Sequence, residues 1–288
     1  MIGGGRQDKR PGLSERSPPG SIRRPIPERA TLTDLPRPQT RLHVTADLAA
    51  GLAVALDEGQ AHQVRSVLRL DRGAHVALFN GRDGEWLARL DGVGKGWASA
   101  VPVACTRPQV PEPDLWLVFA PIKRARLDFL AEKATELGVS LLWPVFTRHT
   151  AVERVNVERL GANAREAAEQ TGRLGVPLVR PVASLDEALA AWPAGRRILL
   201  GDESGAAEPI GDVLAATAHD GPWAVLTGPE GGFARAELDR LRETPFVSPV
   251  SLGPRVLRAD TAALAALAVL QALRGDWRHG RPRHPPPG

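Results

Sequence analysis

The chain of 288 residues has a single cysteine, Cys105, and therefore lacks the material for a disulfide framework or a cysteine-based zinc site. It also has no apolar run approaching the roughly 20 residues that span a bilayer, and no signal-peptide pattern at its N-terminus. A P-loop, a G-x-S-x-G nucleophile elbow and histidines at metal-ligand spacing are absent as well. These absences predict a soluble, cytoplasmic protein without a metal centre.

What is present is enough apolar material for one large or two modest domains, since 43% of the residues are hydrophobic and 24% are charged. The net charge of +4 comes from the ends of the chain: residues 1–40 hold 8 Lys/Arg and 4 Asp/Glu, and residues 275–288 hold 3 and 1. The body, residues 41–274, holds 26 basic and 28 acidic residues. The basicity therefore does not mark the body as a nucleic-acid surface, and the Pro- and Gly-rich ends are predicted to be disordered.

The rhythm of the apolar residues changes near Pro108. Residues 41–108 have short strand-like runs between turn signals, with one helix over 60–69, and this predicts a small β-barrel of about 70 residues. After a linker at 109–114, strands alternate with helices over 115–274, which predicts a parallel α/β sheet with ligands at the carboxyl ends of its strands. The stretch Asp91–Gly96 leads into a strand and is predicted to be a hairpin turn rather than a nucleotide loop. Trp86 and Trp97 are predicted to fill the barrel core rather than stack on bases.

Two strand-to-helix junctions in the second region are rich in glycine. The strand at 223–226 runs into Gly228-Pro229-Glu230-Gly231-Gly232, and the strand at 246–252 runs into Gly253-Pro254-Arg255 and on to Thr261. Glycine lets backbone approach a ligand closely, and proline stiffens the turn. A tight turn explains one such loop, but two of them at parallel strand ends would lie side by side and predict a site between them.

The segments GPEGG and SLGPRVLRADTA, supported by Lys123 and by residues 61–69, 127–139 and 166–173, resemble the RsmE family of 16S ribosomal RNA uracil-N3 methyltransferases, in the SPOUT superfamily. The resemblance covers roughly residues 41–274. It implies an α/β protein with a PUA-like barrel and a SPOUT domain whose C-terminal segment threads a deep trefoil knot. It also implies S-adenosylmethionine as the methyl donor and the 16S rRNA of the small ribosomal subunit as the partner. The helix at 261–273 is apolar nearly all the way round, and the resemblance implies a homodimer formed through it, the alternative being a helix enclosed within one subunit. Asp260 departs from the glutamate that the family usually has there.

The resemblance also implies which residues form the site, with no metal. Arg258 is expected to stabilise negative charge on the uracil, the alternative being an ion pair with Asp260 or Glu230. Glu230 is expected to accept the N3 proton if it is buried, or only to orient its loop. The residues expected to hold the donor are Leu200, Gly201, Thr227, Gly228, Pro229, Glu230, Gly231, Gly232, Ser251, Leu252, Gly253, Val256, Leu257, Arg258 and Thr261.

The RNA is expected to meet basic side chains in both regions, although ordinary solvated surface explains them nearly as well. Two alternative functions stay open. A SPOUT ribose 2′-O-methyltransferase is disfavoured, because Ser251-Leu252-Gly253 lacks the asparagine typical of that group. A non-catalytic RNA-binding protein is disfavoured by the intact glycines and Arg258. The candidate RNA-binding residues are Arg65 and Arg69 on the barrel helix, Lys123, Arg124 and Arg126 at a strand end, and Arg173 on a helical face turned toward the cleft.

Overall fold

The structure is a computed structural model that describes Met1 and residues 35–279. Residues 36–279 belong to one compact unit. The disorder predicted for 1–40 and 275–288 therefore lies largely outside the described residues. Where the two overlap, the backbone N–H of Gln39 donates to the carbonyl of His75 at 2.8 Å, so sheet pairing begins two residues before the predicted start of the body. Among the described residues, no helix is both long and apolar enough to cross a membrane.

The N-terminal region is a mostly antiparallel five-stranded sheet in the order β1-β3-β4-β5-β2, and its closure into a barrel stays a prediction. The long β4–β5 hairpin pairs Gly94 with Trp97, so a hairpin turn lies in the predicted stretch but is confined to Lys95 and Gly96, and residues 91–94 belong to β4. The elements of the N-terminal region are β1 (Arg41–His43), β2 (Val54–Leu56), α1 (Glu58–His62), a π-helical turn (Gln63–Val67), β3 (His75–Phe79), β4 (Glu85–Gly94) and β5 (Trp97–Arg107).

The single helix predicted over 60–69 is wrong in its bounds. It begins earlier, because Asp57 forms a capping box in which its carboxylate accepts from the backbone of Gln60 at 2.8 Å. It then widens into the π-helical turn and ends before Arg69, whose φ of 54° lies in the left-handed region. Arg65 and Arg69 are both exposed, but they do not share the helical edge that their spacing predicted.

The C-terminal region confirms the predicted alternation and is an all-parallel sheet in the order β12-β10-β11-β6-β7-β8, with β9 also paired to β7. The two-residue strands β8 and β9 were not predicted. The elements are β6 (Leu115–Phe119), α2 (Arg124–Glu136), β7 (Leu141–Phe146), α3 (Val157–Thr171), β8 (Leu178–Val179), β9 (Ala183–Ser184), α4 (Leu185–Ala190), β10 (Arg197–Gly201), α5 (Ile210–Ala216), β11 (Trp223–Thr227), α6 (Arg235–Glu243), β12 (Val247–Val250) and α7 (Ala259–Arg274).

Apolar side chains cover both faces of this sheet, as a parallel sheet requires. One cluster joins β6 to α2, α3, α5 and α7, with Phe119, Leu130 and Leu267 fully buried in it. The other contains Trp116 and Trp143 and lies beneath α4 and α6. The helices thus enclose the faces of the sheet and leave the carboxyl ends of its strands to the loops.

The two regions are joined through Arg41. Its guanidinium donates to the carbonyls of Ala168 (2.9 Å), Glu169 (2.8 Å) and Arg173 (2.7 Å), at and just beyond the C-terminal end of α3. It also pairs with Glu85 at 2.7 Å, and Glu85 pairs with Arg107 at 2.6 Å. Helix ends leave carbonyls without helical partners, so Arg41 in the first strand caps a helix of the second region.

Candidate active site

Three neighbouring strands, β10, β11 and β12, end at the same edge of the parallel sheet. Gly201 stands opposite Val250, and Leu200 stands opposite Leu226, so the residues that follow these strands form one row. Both glycine-rich junctions lie on this row, as predicted. They are not direct neighbours, however, because β10 pairs with both strands and separates them. Leu200 and Gly201 therefore occupy the centre of the row.

The loop after β11 is the first wall of this site. Thr227 and Pro229 are buried, and the carbonyl of Pro229 accepts from the backbone of Gly232 at 2.9 Å. Two of its glycines are favoured by the fold itself. A β-carbon on Gly228 would lie 3.0 Å from the ring of Phe233, and Gly232 has a φ of +69°. The absence of side chains here is therefore only partly explained by the approach of a ligand.

A histidine that the sequence did not single out holds this loop from outside. Nδ1 of His149, in the turn after β7, lies 3.3 Å from the carbonyl of Gly231 and 3.2 Å from that of Gly232. Because carbonyls only accept, this contact requires the proton on Nδ1. A carboxylate oxygen of Glu237 in α6 accepts from the backbone of Arg148 at 2.8 Å and fixes the same turn. More than 80 residues separate His149 from the loop, so no local pattern could have identified it.

The segment after β12 is the second wall. The backbone N–H of Ser251 donates to the carbonyl of Glu208 at 2.8 Å, and the carbonyl of Ser251 accepts from the backbone N–H of Ile210 at 3.0 Å. The segment therefore pairs with the loop after β10. Gly253 is exposed, with a φ of +104° and open space where a side chain would stand. Val256 is 80% exposed, whereas Leu257 is half-buried. This wall offers free backbone and apolar surface to a ligand.

Asp202 anchors the loop that follows the central strand. Its side chain is buried and accepts from Nε of Arg242 at 3.0 Å and from the backbone of Ser204 at 2.9 Å. Burial acts to raise the pKa of Asp202, but the hydrogen bonds from Ser204 and Arg242 outweigh it and hold the pKa below its usual value. The carboxylate therefore stays charged and ties the centre of the site to α6.

The residues predicted for catalysis lie at the mouth of the site. Arg258 is exposed and directly precedes α7. The ion pair described for Asp260 is with Arg126, at 3.5 Å, and not with Arg258. Asp260 also accepts from the backbone of Thr261 at 2.9 Å, at the first turn of α7. Glu230 is exposed, so the burial on which its role as proton acceptor depended is not there.

The predicted RNA-binding residues divide into two groups. Lys123 and Arg124 are exposed at the start of α2, next to the carboxyl end of β6 and on the same edge as the site. Arg126 is half-buried against Asp260. The prediction for Arg173 is wrong: its side chain is only 10% exposed, donates to the carbonyls of Thr135 and Val139 at 2.8 Å each, and pairs with Glu112. Its guanidinium caps the end of α2 and is not available to RNA.

The two tryptophans of the N-terminal sheet differ in their surroundings. Trp86 packs against the core of that sheet and donates from Nε1 to the carbonyl of Asp83 at 2.9 Å. Trp97 is 54% exposed, so the prediction that it fills the core is wrong. Alternation along β5 explains this, since the next residue, Ala98, is the one turned into the core.

Comparison with known proteins agrees with this geometry. Residues 110–271, more than half of the chain, match the family model of the RNA methyltransferase domain. The chain is 31% identical over 234 residues to ribosomal RNA small subunit methyltransferase E of Rickettsia conorii, covering 81% of this chain and 95% of the relative. It is 34% identical over 229 residues to the protein of the same name from Mycobacterium bovis, covering 72% and 86%.

A solved structure is also similar. The ribosomal RNA small subunit methyltransferase E from Neisseria gonorrhoeae, bound to S-adenosyl methionine, superposes with a TM-score of 0.74 at 29% identity, covering 83% of this chain and 99% of that one. The match to the family model, over the domain that holds the row of strand ends, thus identifies an RNA methyltransferase domain. Within that class, the chain belongs to the ribosomal RNA small subunit methyltransferase E family, which confirms the resemblance carried by its two glycine-rich motifs.

Proposed function

We propose that this protein transfers a methyl group from S-adenosylmethionine to N3 of a uridine in the 16S rRNA of the small ribosomal subunit, near the decoding region. The observation that carries the proposal is the row of three strand ends, which brings GPEGG and SLGPRVLRADTA to one edge of the sheet in a chain of this family. An rRNA substrate also puts the protein in the cytoplasm, where ribosomes are assembled.

The methyl donor lies between the two glycine-bearing walls, over the end of the central strand. S-adenosylmethionine supplies a methyl group on a positively charged sulfur. The described residues fit such a ligand, because Gly253 leaves its backbone open and the exposed Val256 gives an apolar surface for an adenine ring. His149 and Asp202 keep the two flanking loops in place. The further residues that hold the donor are those named from the resemblance, from Leu200 to Thr261.

The finer architecture belongs to the same proposal. The C-terminal segment from β12 to α7 threads the deep trefoil knot that characterises SPOUT proteins, and the N-terminal sheet closes into a PUA-like barrel. Two observations support the knot. β12, the last strand among the described residues, is hydrogen-bonded to β10, and α7 returns to pack on α2 and α5 in the core of the domain.

The chain's own residues have two tasks in the reaction. N3 lies on the Watson–Crick edge of uracil, so the base must be unpaired or flipped out of its helix before it can reach the site. N3 also carries a proton, and its loss leaves negative charge on the uracil oxygens. Arg258, exposed at the mouth of the site, carries a permanent charge and a planar fork that can stabilise those oxygens. With Glu230 in solvent, bulk water and not a buried carboxylate takes up the proton.

The RNA backbone meets the exposed ammonium of Lys123 and the guanidinium of Arg124 beside the donor site. Arg65 on the π-helical turn and Arg69 just after it meet the RNA backbone in the N-terminal region. Each contact of this kind positions the RNA by its phosphates without reading its sequence.

The protein acts as a two-fold homodimer formed through α7. One side of this helix is buried against α2 and α5, and Leu264 also packs on that core. Ala265, Ala268 and Ala272 lie outside the buried set, and small residues allow a second helix to approach closely. Light scattering should give about twice the chain mass of 30.8 kDa. Ala268→Glu should yield monomers with weakened donor binding. A wild-type mass of one chain for the active enzyme would contradict the dimer.

The experiment that tests the activity uses small ribosomal subunits from cells that lack the gene. The purified protein is incubated with them and with methyl-labelled S-adenosylmethionine, and the digested rRNA is analysed by mass spectrometry. We expect one 3-methyluridine, and none with Arg258→Ala. A ribose-methylated nucleotide would show the 2′-O reaction instead. Donor binding without any methylation of rRNA would show a non-catalytic RNA-binding protein.

A further inference from the structure

The indole of Trp97 is an exposed aromatic surface that the proposed methyl transfer does not use. Trp97 opens β5 directly after the turn at Lys95 and Gly96, and it is 54% exposed. Large apolar side chains at the surface are common singly, so exposure alone carries no meaning. The packing of this ring against its neighbours is what makes it informative.

The ring rests directly on the backbone of the paired strand. A β-carbon on Gly94 would lie 2.0 Å from Nε1 of Trp97, and one on Gly92 would lie 2.6 Å from the six-membered ring. Only glycine can stand at these two positions while the ring stays where it is, although glycine inside a strand costs conformational entropy. One face of the indole is therefore covered by backbone, and the exposed area belongs to the other face and the edge.

Cationic side chains flank the same turn. Lys95 and Gly96 also line a cleft of about 540 Å³, together with His62, Arg65 and Ser66. Glu58 is the one acidic residue in this lining, against Lys95 and Arg65. Trp97 points away from the core of the N-terminal sheet, whereas Ala61, which lines the cleft, packs on that core. The turn at Lys95 and Gly96 therefore lies between the indole ring on one side and the cleft on the other.

We propose that Trp97 and the cleft across the turn bind a short single-stranded segment of the RNA substrate, with one base stacked on the indole and a neighbouring phosphate held by Lys95 and Arg65. This inference rests on the proposed function, for which it names a second contact point on the RNA. A rigid aromatic face beside cations is the combination that holds single-stranded nucleic acid, and it tolerates any base because every base has a flat face. The cationic Lys95 and Arg65 in the cleft favour a polyanion over an extended apolar interface with a protein.

The test separates stacking from simple coverage of the glycines. Trp97→Tyr keeps an aromatic ring, whereas Trp97→Leu keeps apolar cover without a ring. Trp277→Leu is the matched control, because Trp277 is also 54% exposed but lies in the short helical turn after α7. Binding of a fluorescein-labelled single-stranded RNA of about 12 nucleotides is measured by anisotropy, with donor binding and thermal unfolding as checks on the fold.

We expect Trp97→Leu to bind this RNA about 5-fold to 150-fold more weakly, the loss that removal of one stacked base produces, with donor affinity unchanged. Trp97→Tyr and Trp277→Leu should stay within about 3-fold of the wild type. In methylation assays the same loss should fall on the KM for small subunits and not on kcat.

Equal affinities for the Leu and Tyr variants would overturn the proposal, even if the melting temperature falls. So would a loss confined to ribosomal particles with binding of free RNA unchanged, because the surface would then contact a protein. A wild type that methylates no rRNA refutes the proposed function, whereas a fully active Trp97→Leu variant refutes only this inference.

Discussion

The strongest test of the architecture is the removal of the Arg41 guanidinium, which joins the two regions. Arg41→Met keeps most of the side-chain volume but deletes four hydrogen-bonded contacts, three to carbonyls at the end of α3 and one to Glu85. The side chain is 12% exposed, so solvent screens these contacts little. Burial acts to raise the pKa of Glu85, and the hydrogen bond from Arg107 with the charge of Arg41 holds it below its usual value.

The expected loss of stability follows from these contacts. Removing one partner of a buried ion pair costs about 3–5 kcal/mol when the other charge is left alone. Here Arg107 still pairs with Glu85, but three carbonyls lose a charged donor, each such bond contributing about 1.5–3 kcal/mol. Because water can reach part of the opened site, we expect the free energy of unfolding to fall by about 3 kcal/mol, at the lower end of the range for a broken buried ion pair.

The measurement is urea unfolding of Arg41→Met beside a control, Arg82→Met. Arg82 also bonds a carbonyl and a carboxylate, that of Thr45 at 3.0 Å and Asp47 at 2.8 Å, but its side chain is 53% exposed. The control should lose about 0.5 kcal/mol or less. A loss below about 1 kcal/mol for Arg41→Met, or equal losses in both variants, would refute the reasoning. Methylation of small subunits should fall more than donor binding, because the N-terminal sheet loses its anchor on α3.

Three further changes test the site and its surroundings. Arg258→Lys keeps the charge but loses the planar fork, so kcat should fall about 100-fold with the donor Kd nearly unchanged, and equal losses in both would make Arg258 a donor-binding residue. Gly253→Val forces a branched side chain to φ +104° and should weaken donor binding at least about 10-fold by calorimetry, whereas Gly51→Val, at φ +81° in the N-terminal region, should not. Burial raises the pKa of Glu169, whose carboxylate accepts from the backbone of His43 at 2.9 Å, so the folded protein binds that proton more tightly than the unfolded chain and loses stability as pH rises past the usual carboxyl value. The stability of Glu169→Gln relative to the wild type should therefore rise as the pH increases above the usual carboxyl value in urea unfolding, and a pH-independent difference would contradict this assignment.

The sequence was most informative where local signals and the fold agree. The strands β6, β7 and β11 are nearly continuous apolar runs, and Gly138, with its φ of +88°, follows the end of α2 as predicted. The bounds of α1 were missed because the capping box at Asp57 and the π-helical turn leave no mark in the apolar spacing. The apolar runs indicated which segments are strands. They did not indicate that β10 lies between β11 and β12, because strand order depends on pairings between residues distant in the chain.

Side-chain roles were predicted less well than backbone, for a related reason. Arg173 and Trp97 were both assigned from residue type, and each took the opposite environment. Arg173 is enclosed because the ends of α2 and α3 meet around it. Trp97 is exposed because its ring packs on the backbone of two glycines in the paired strand β4. His149 and Asp202 support the site from loops that carry no motif. The row of strand ends itself followed directly from the two glycine-rich junctions.

Because β12 and α7 come late in the described chain, the site is completed late during synthesis. Domains generally form from the N-terminus onward during translation. Here β6, β10 and β11 leave the ribosome before β12, and the buried face of α7 that completes their core follows later still. The donor site has only two of its three strand ends until then. A nascent chain therefore lacks one wall of the proposed donor site until β12 and α7 have emerged.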